Sequence, residues 1–306
     1  MTIDAYNTGR DSREHRRRRM RRHGRRAYIR SIYFLPSMAT LGNAVCGFGA
    51  IYVAALDPTG PFTDRWTRMF AEAHFIAAAY LIFLAMLFDA IDGRLARFAR
   101  HTTDFGGQLD SLADMISFGA APAFLALQLF RTTIVDVPVF LSRAIWAAGA
   151  VYLACAAIRL ARFNVSNEHG EQYHFSFLGL PSPGAAGAVA GFVLLQHKLA
   201  EADQALWVQR LAHLCVWLMP LLVLITGLLM VSVVRYPHVV NRYLRGRRSI
   251  ARLLSAAAVA LAVVVAHQYA IAIGALIYAF WGPTSWALLR LRRRSASGPP
   301  GAAPAT

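Results

Sequence analysis

Polar and apolar positions along this chain separate into blocks and do not alternate. After an Arg-dense opening, long apolar runs follow one another, joined by short polar stretches. Eight such runs can be drawn, at about residues 34–56, 75–98, 108–130, 139–163, 181–199, 207–234, 251–267 and 269–289. At ~1.5 Å of rise per residue, a helix of ~20 residues crosses the ~30 Å of hydrocarbon in a bilayer. The pattern predicts an all-α fold: a polytopic integral membrane helical bundle of about eight transmembrane helices. Only His267, Gln268 and Tyr269 part the last two runs, which predicts a tight hairpin there or, alternatively, a re-entrant segment.

Composition agrees with the pattern. The 306 residues are 57% hydrophobic and only 16% charged, against roughly 25% charged in an ordinary soluble domain. The apolar content excludes a disordered chain. The three cysteines, Cys46, Cys155 and Cys215, each fall inside an apolar run and read as small core residues. The net charge of +16 suggests nucleic acid until its placement is considered. The basic residues sit in clusters beside apolar runs, where they meet lipid headgroups, and no nucleic-acid-binding motif accompanies them. With the N-terminus in the cytoplasm and strict alternation, 26 Arg fall inside and five Arg with Lys198 fall outside. That asymmetry predicts cytoplasmic N- and C-termini and an inner-membrane location. Residues 1–30 read as a basic juxtamembrane tail, with no cleavable signal, and residues 295–306 as a disordered end.

Four acids break the apolar pattern. Asp89, Asp92, Asp110 and Asp114 lie within 26 residues, at the facing ends of the second and third runs. A carboxylate at membrane depth is costly unless it is paired, hydrated or metal-bound. Asp89 and Asp92 are spaced i,i+3 and Asp110 and Asp114 i,i+4, so each pair shares a helical face. The short joint between the runs makes the two helices antiparallel neighbours, so both pairs can face one cavity. A divalent cation is the simplest partner for such a group, and all-oxygen ligation favours Mg²⁺ or Mn²⁺ over zinc. Gly93 and Gly106 leave room for a bulky ligand beside them, and Arg97 can take a phosphate oxygen. Read alone, Gly106 is equally a loop glycine and Arg97 an interface residue that snorkels. Asp104 reads as a helix cap.

The run from Asp89 through Asp92, Gly93, Ala96, Arg97, Gly106 and Asp110 to Asp114 resembles the signature D-x2-D-G-x2-A-R-x8-G-x3-D-x3-D of the CDP-alcohol phosphotransferases, with all eight fixed positions met. Three more segments resemble the membrane-embedded phosphatidylserine synthases of that family. They are Leu35–Pro36 with Thr40, Gly42 and Asn43; Ala161–Arg162–Phe163–Asn164; and Gly179–Leu180–Pro181–Ser182–Pro183. The resemblance covers about residues 30–190. It implies a catalytic core over residues 31–200, followed by further transmembrane helices over 201–294. The reaction it implies is transfer of the phosphatidyl group of CDP-diacylglycerol to L-serine, releasing CMP, with two metal ions. Asp89, Asp92 and Asp110 are then metal ligands, and Asp114 shares a metal or serves as general base. Gly93, Ala96, Arg97, Gly106 and Asn43 belong to the nucleotide and phosphate site. Arg159, Arg162, Pro181 and Ser182 belong to the acceptor side.

Several of these residues carry a plainer reading as well. Asn43 is equally a buried interhelical amide contact. Arg159 and Arg162 are equally topology and headgroup residues, and Pro181 with Ser182 is equally a helix start. Gly187 and Gly191 form a small-xxx-small pair that permits close helix contact within one subunit or across a homodimer, which the family resemblance favours. The rivals are another acceptor, such as glycerol 3-phosphate or an inositol phosphate, and, in a different class, a divalent-cation transporter. Against transport, the acids gather at one face and leave the other half of those helices without polar steps.

Overall fold

The computed structural model describes residues 38–57, 69, 73–99, 104–134, 136–168, 176–201, 205–237 and 267–296. Helix α1 covers Met38–Ala54 and α2 covers His74–Ala99. Helix α3, Asp104–Asp114, runs into a π-helical segment, Met115–Ala120, and on into α4, Ala121–Thr133. Helices α5 (Val139–Glu168), α6 (Ser182–Glu201), α7 (Leu206–Val231) and α8 (His267–Ala296) follow among the described residues. Helices satisfy every backbone group internally, which is what a segment in hydrocarbon must do. Large apolar side chains such as Phe48, Leu87, Phe140, Trp146, Trp217 and Leu221 point outward, where lipid rather than water is the matching solvent.

Four stretches are long and apolar enough to cross a bilayer: His74–Leu95, Phe105–Thr133, Val139–Val165 and Leu206–Val231. The chain is a membrane protein, but the described residues do not supply the eight spans expected. Among the described residues, the first run is the helix Met38–Ala54, below the length counted as a span, and residues 34–37 of that run lie outside the described residues. Residues 251–266 of the run expected at 251–267 lie outside the described residues, as does the basic tail, while His267 begins α8. The last run sits inside α8, which continues to Ala296, past the boundary expected at 294.

Helix α6 explains its own weak hydropathy by its position. It packs against α2, α4, α7, α8 and the π-helical segment, and residues 185–191 are all buried. A helix enclosed by protein needs small side chains more than lipid-compatible ones. A Cβ on Gly191 would stand 2.9 Å from Ala272 Cα of α8, and one on Gly187 would meet Met86 of α2. The small-xxx-small pair is therefore used inside the subunit.

The all-helical expectation needs one addition. Strands β1 (Ser176–Leu178) and β2 (Arg235–Pro237) pair antiparallel, with Phe177 opposite Tyr236. Gly179, at φ +82°, turns the chain from this ribbon into α6. Its N–H donates to Val234 O (2.8 Å) and Leu180 N–H donates to Leu229 O (2.9 Å). A side chain there would run into the Met230 carbonyl. Fully buried Tyr236 donates its hydroxyl to Ala279 O of α8 at 2.9 Å. The ribbon thus ties the start of α6 to the end of α7 and the middle of α8.

Candidate active site at one end of the bundle

The C-terminal halves of α2 and α3 bring the acids together. Carboxylate oxygens of Asp89, Asp110 and Asp114 lie within 4.8 Å of one another. Asp92 behaves differently. It is 6% exposed and accepts a hydrogen bond from the Thr40 hydroxyl of α1. Residues spaced i,i+3 differ by about 60° in azimuth, enough for Asp89 to face α3 while Asp92 faces α1. Asp92 remains within electrostatic reach of Asp89 and Asp110. Among the described residues, none of the three converging acids forms an ion pair with a basic side chain. Three hard oxygen donors gathered without a bonded cation suit a divalent ion of the Mg²⁺ or Mn²⁺ type.

Helix α1 buttresses this group. Asn43 is fully buried, and its Nδ2 donates to Asp114 Oδ1 at 2.9 Å. That is an interhelical amide contact, made on the acid. Ser117, in the π-helical segment, donates to the Asn43 carbonyl at 2.8 Å. Ser111 and Asn164 of α5 exchange hydrogen bonds at 2.9 and 3.2 Å, which fixes α3 against α5 close to the acids. Gly93, one helical turn beyond Asp89, borders open space: nothing lies within 4 Å of where a Cβ would stand. Gly106 is half-buried in the first turn of α3. Ala96 and Arg97 lie towards the C-terminal end of α2, and their side chains are outside the described set.

A basic counterpart lies beside the acids. Arg159 of α5 donates from Nη1 to Ser182 Oγ at 2.6 Å, and Ser182 is fully buried in the first turn of α6. Among the described residues, the Arg159 Nε is buried without a hydrogen-bond partner. Arg159 is within electrostatic reach of Asp114, Tyr278 and Arg162. Half-buried Pro181 starts the turn, its carbonyl accepting from Ala185 N–H at 2.9 Å. Arg162, one turn further along α5, is exposed. The structure thus joins Arg159 to Ser182 and leaves Arg162 at the rim.

Three participants were not among the expected residues. Thr40 stood inside a segment quoted only for resemblance, Ser117 lies in an apolar run, and Tyr278 is distant in sequence. Tyr278 packs on the start of α6, where a Cβ on Gly184 would stand 2.7 Å from its Cε1. A polar residue inside an apolar run was the available signal for Thr40 and Ser117. Nothing local marks Tyr278.

Comparison with known proteins places the chain in a family. The model of the CDP-alcohol phosphatidyltransferase family matches residues 33–226, and the chain belongs to that family. It is 31% identical over 213 residues to a CDP-diacylglycerol–serine O-phosphatidyltransferase of Helicobacter pylori, covering 69% of this chain and 74% of that protein. It is likewise 31% identical over 202 residues to the protein of that name from Methanocaldococcus jannaschii, covering 66% and 80% respectively. A Saccharomyces cerevisiae protein of the same name is 35% identical over 135 residues, or 42% of this chain and 45% of its own length.

Proposed function

We propose that this chain transfers the phosphatidyl group of CDP-diacylglycerol to the hydroxyl of L-serine, yielding phosphatidylserine and CMP. The observation that carries the reading is the placement of Arg159 and Ser182 beside the converging Asp89, Asp110 and Asp114, at one end of a membrane bundle. The name shared by the similar proteins supports serine as the acceptor. Asp89, Asp110 and Asp114, with Asp92 alongside, would hold one or two Mg²⁺ or Mn²⁺ ions. Such ions, when bound, neutralise charge on the pyrophosphate and on departing CMP.

This chain's own groups do the rest. Open space at Gly93 admits the nucleotide, with Gly106, Ala96 and Arg97 on its phosphate side. The unpartnered Arg159 Nε receives the serine carboxylate, while Ser182 and Pro181 set the wall of that pocket. Asp114 accepts the proton of the serine hydroxyl. The serine oxygen bonds to the lipid-bearing phosphorus as the bond from that phosphorus to the CMP oxygen breaks. One substrate carries acyl chains and the other is a soluble zwitterion, so a site at the end of the bundle, at the cytoplasmic face of the inner membrane, is where both arrive. Both termini lie in the cytoplasm on this reading, surrounding lipids are partners, nucleic acid is not, and the working unit is a homodimer.

The test is CMP release by purified protein given CDP-diacylglycerol, Mn²⁺ or Mg²⁺ and one acceptor at a time. Release with serine alone is expected. Release with glycerol 3-phosphate or an inositol phosphate in its place overturns the choice of acceptor, and no release from folded protein overturns the enzyme.

A further inference from the structure

Asp110 and Asp114 lie on a helix that does not wind uniformly. Met115–Ala120 is π-helical, and Ala121 N–H donates to Ile116 O, five residues back. One extra residue is absorbed there without a matching turn. The consequence can be worked out from the buried faces. Upstream, the inward face is Asp110, Ala113 and Asp114. Downstream it is Ala121, Pro122, Leu125, Ala126, Leu129 and Phe130. At about 100° per residue in an uninterrupted α-helix, the centres of those two faces would stand about 120° apart. Absorbing one residue turns the downstream half back by about 100°, leaving the faces within about 20° of each other. Without the insertion, a helix seated by its apolar half would aim both carboxylates away from Asp89.

The segment is also held from outside. Asn43 of α1 grips it on both sides, with Nδ2 on Asp114 (2.9 Å) and its carbonyl accepting from Ser117 (2.8 Å). Gly47, one turn along α1, lets the two backbones meet: a Cβ there would stand 2.6 Å from Ser117 Cα. On the far side, Tyr152 donates its hydroxyl to Phe118 O at 3.0 Å, which occupies a carbonyl in the irregular stretch.

We propose that the π-helical segment Met115–Ala120 is the register device that aims Asp110 and Asp114 at Asp89, and that Ser117 is a positioning residue for Asp114. The inference rests on the proposal that these acids hold a divalent ion, so its test reads the ion directly. Mn²⁺ affinity of the purified full chain is measured by electron paramagnetic resonance, beside CMP release and thermal unfolding. Ser117→Ala is expected to weaken Mn²⁺ binding and kcat by roughly tenfold, the scale of a lost outer-sphere partner, while the serine KM holds. A purely structural serine would lower the unfolding midpoint and leave the Mn²⁺ affinity of the folded protein alone.

Deleting outward-facing Ile116 is expected to abolish Mn²⁺ binding, and adding an alanine after Gly119 in that deletion is expected to restore it. If the deletion variant does not fold, Ser117→Ala decides. Wild-type protein that binds Mn²⁺, with Ser117→Ala binding it within twofold, overturns the inference alone. Wild-type protein that binds no Mn²⁺ overturns the metal reading beneath it.

Discussion

The acidic side and the basic side of the site are built in opposite ways. Asp89, Asp92, Asp110 and Asp114 come from one helical hairpin spanning 26 residues. Arg159, Ser182 and Tyr278 come from three helices, with the ends of the set 119 residues apart. A hairpin of neighbouring helices brings its groups together mainly by local winding, with Thr40 and Asn43 of α1 bonded to two of the acids. The basic side depends on the β1–β2 ribbon, on the buried Tyr236 hydroxyl at Ala279, and on Gly184 admitting the Tyr278 ring. On the function proposed above, the division has a meaning: the hairpin would handle the nucleotide and the reacting phosphorus, while the assembled wall would handle the acceptor.

The sharpest way to break that comparison is to disable the hairpin. Asp110→Asn keeps shape and removes charge. Turnover should fall by well over a hundredfold, beyond the 10–100-fold typical of outer-sphere partners, with an unchanged unfolding midpoint. CMP release at a rate near wild type would mean that the ion site does not include Asp110.

Next come the changes on the basic side, which should move KM rather than kcat. Arg159→Ala removes the charge-assisted bonds offered to a serine carboxylate, worth about 1.5–3 kcal/mol. The serine KM should rise roughly ten- to a hundredfold, and the KM for CDP-diacylglycerol should stay where it is. Equal rises in both would place Arg159 on the shared nucleotide half. Ser182→Ala leaves the guanidinium in place and loses only its 2.6 Å anchor. A loss of about 1 kcal/mol corresponds to roughly a fivefold rise in serine KM, again measured by CMP release against serine concentration.

This contrast also accounts for what could be read without a structure. The helical spacing of the acids was visible because it depends only on 3.6 residues per turn. The split between Asp89 and Asp92 was not, because it depends on Thr40 lying across from one of them. The π-helical segment left no mark in the hydropathy. Residues 115–130 are apolar on nearly every face, so the buried face of α4 cannot be told from its lipid face. For the same reason α6 reads as an ordinary span, although its small residues fit it for the centre of the bundle. Lipid as solvent erases the amphipathic signal that would locate a core, and only polar intruders and glycines remain legible.

The smallest effect separates the two arginines that the sequence treats alike. Arg159 and Arg162 share a face by spacing, yet Arg159 is engaged with Ser182 while Arg162 is exposed at the rim. An exposed charge acts on an incoming zwitterion through solvent, and salt screens it: the Debye length shrinks from about 10 Å at 0.1 M to about 3 Å at 1 M. Arg162→Leu should therefore raise the serine KM by only about two- to threefold at low ionic strength, the scale of a surface pair at 0.2–1 kcal/mol, and that increase should vanish in 1 M salt. The Arg159→Ala defect, made by direct contact in a half-buried pocket, should persist there. Serine titrations of both variants at two salt concentrations give the answer. An Arg162 defect as large as that of Arg159 and equally indifferent to salt would put both guanidinia on the acceptor and erase the distinction between wall and rim.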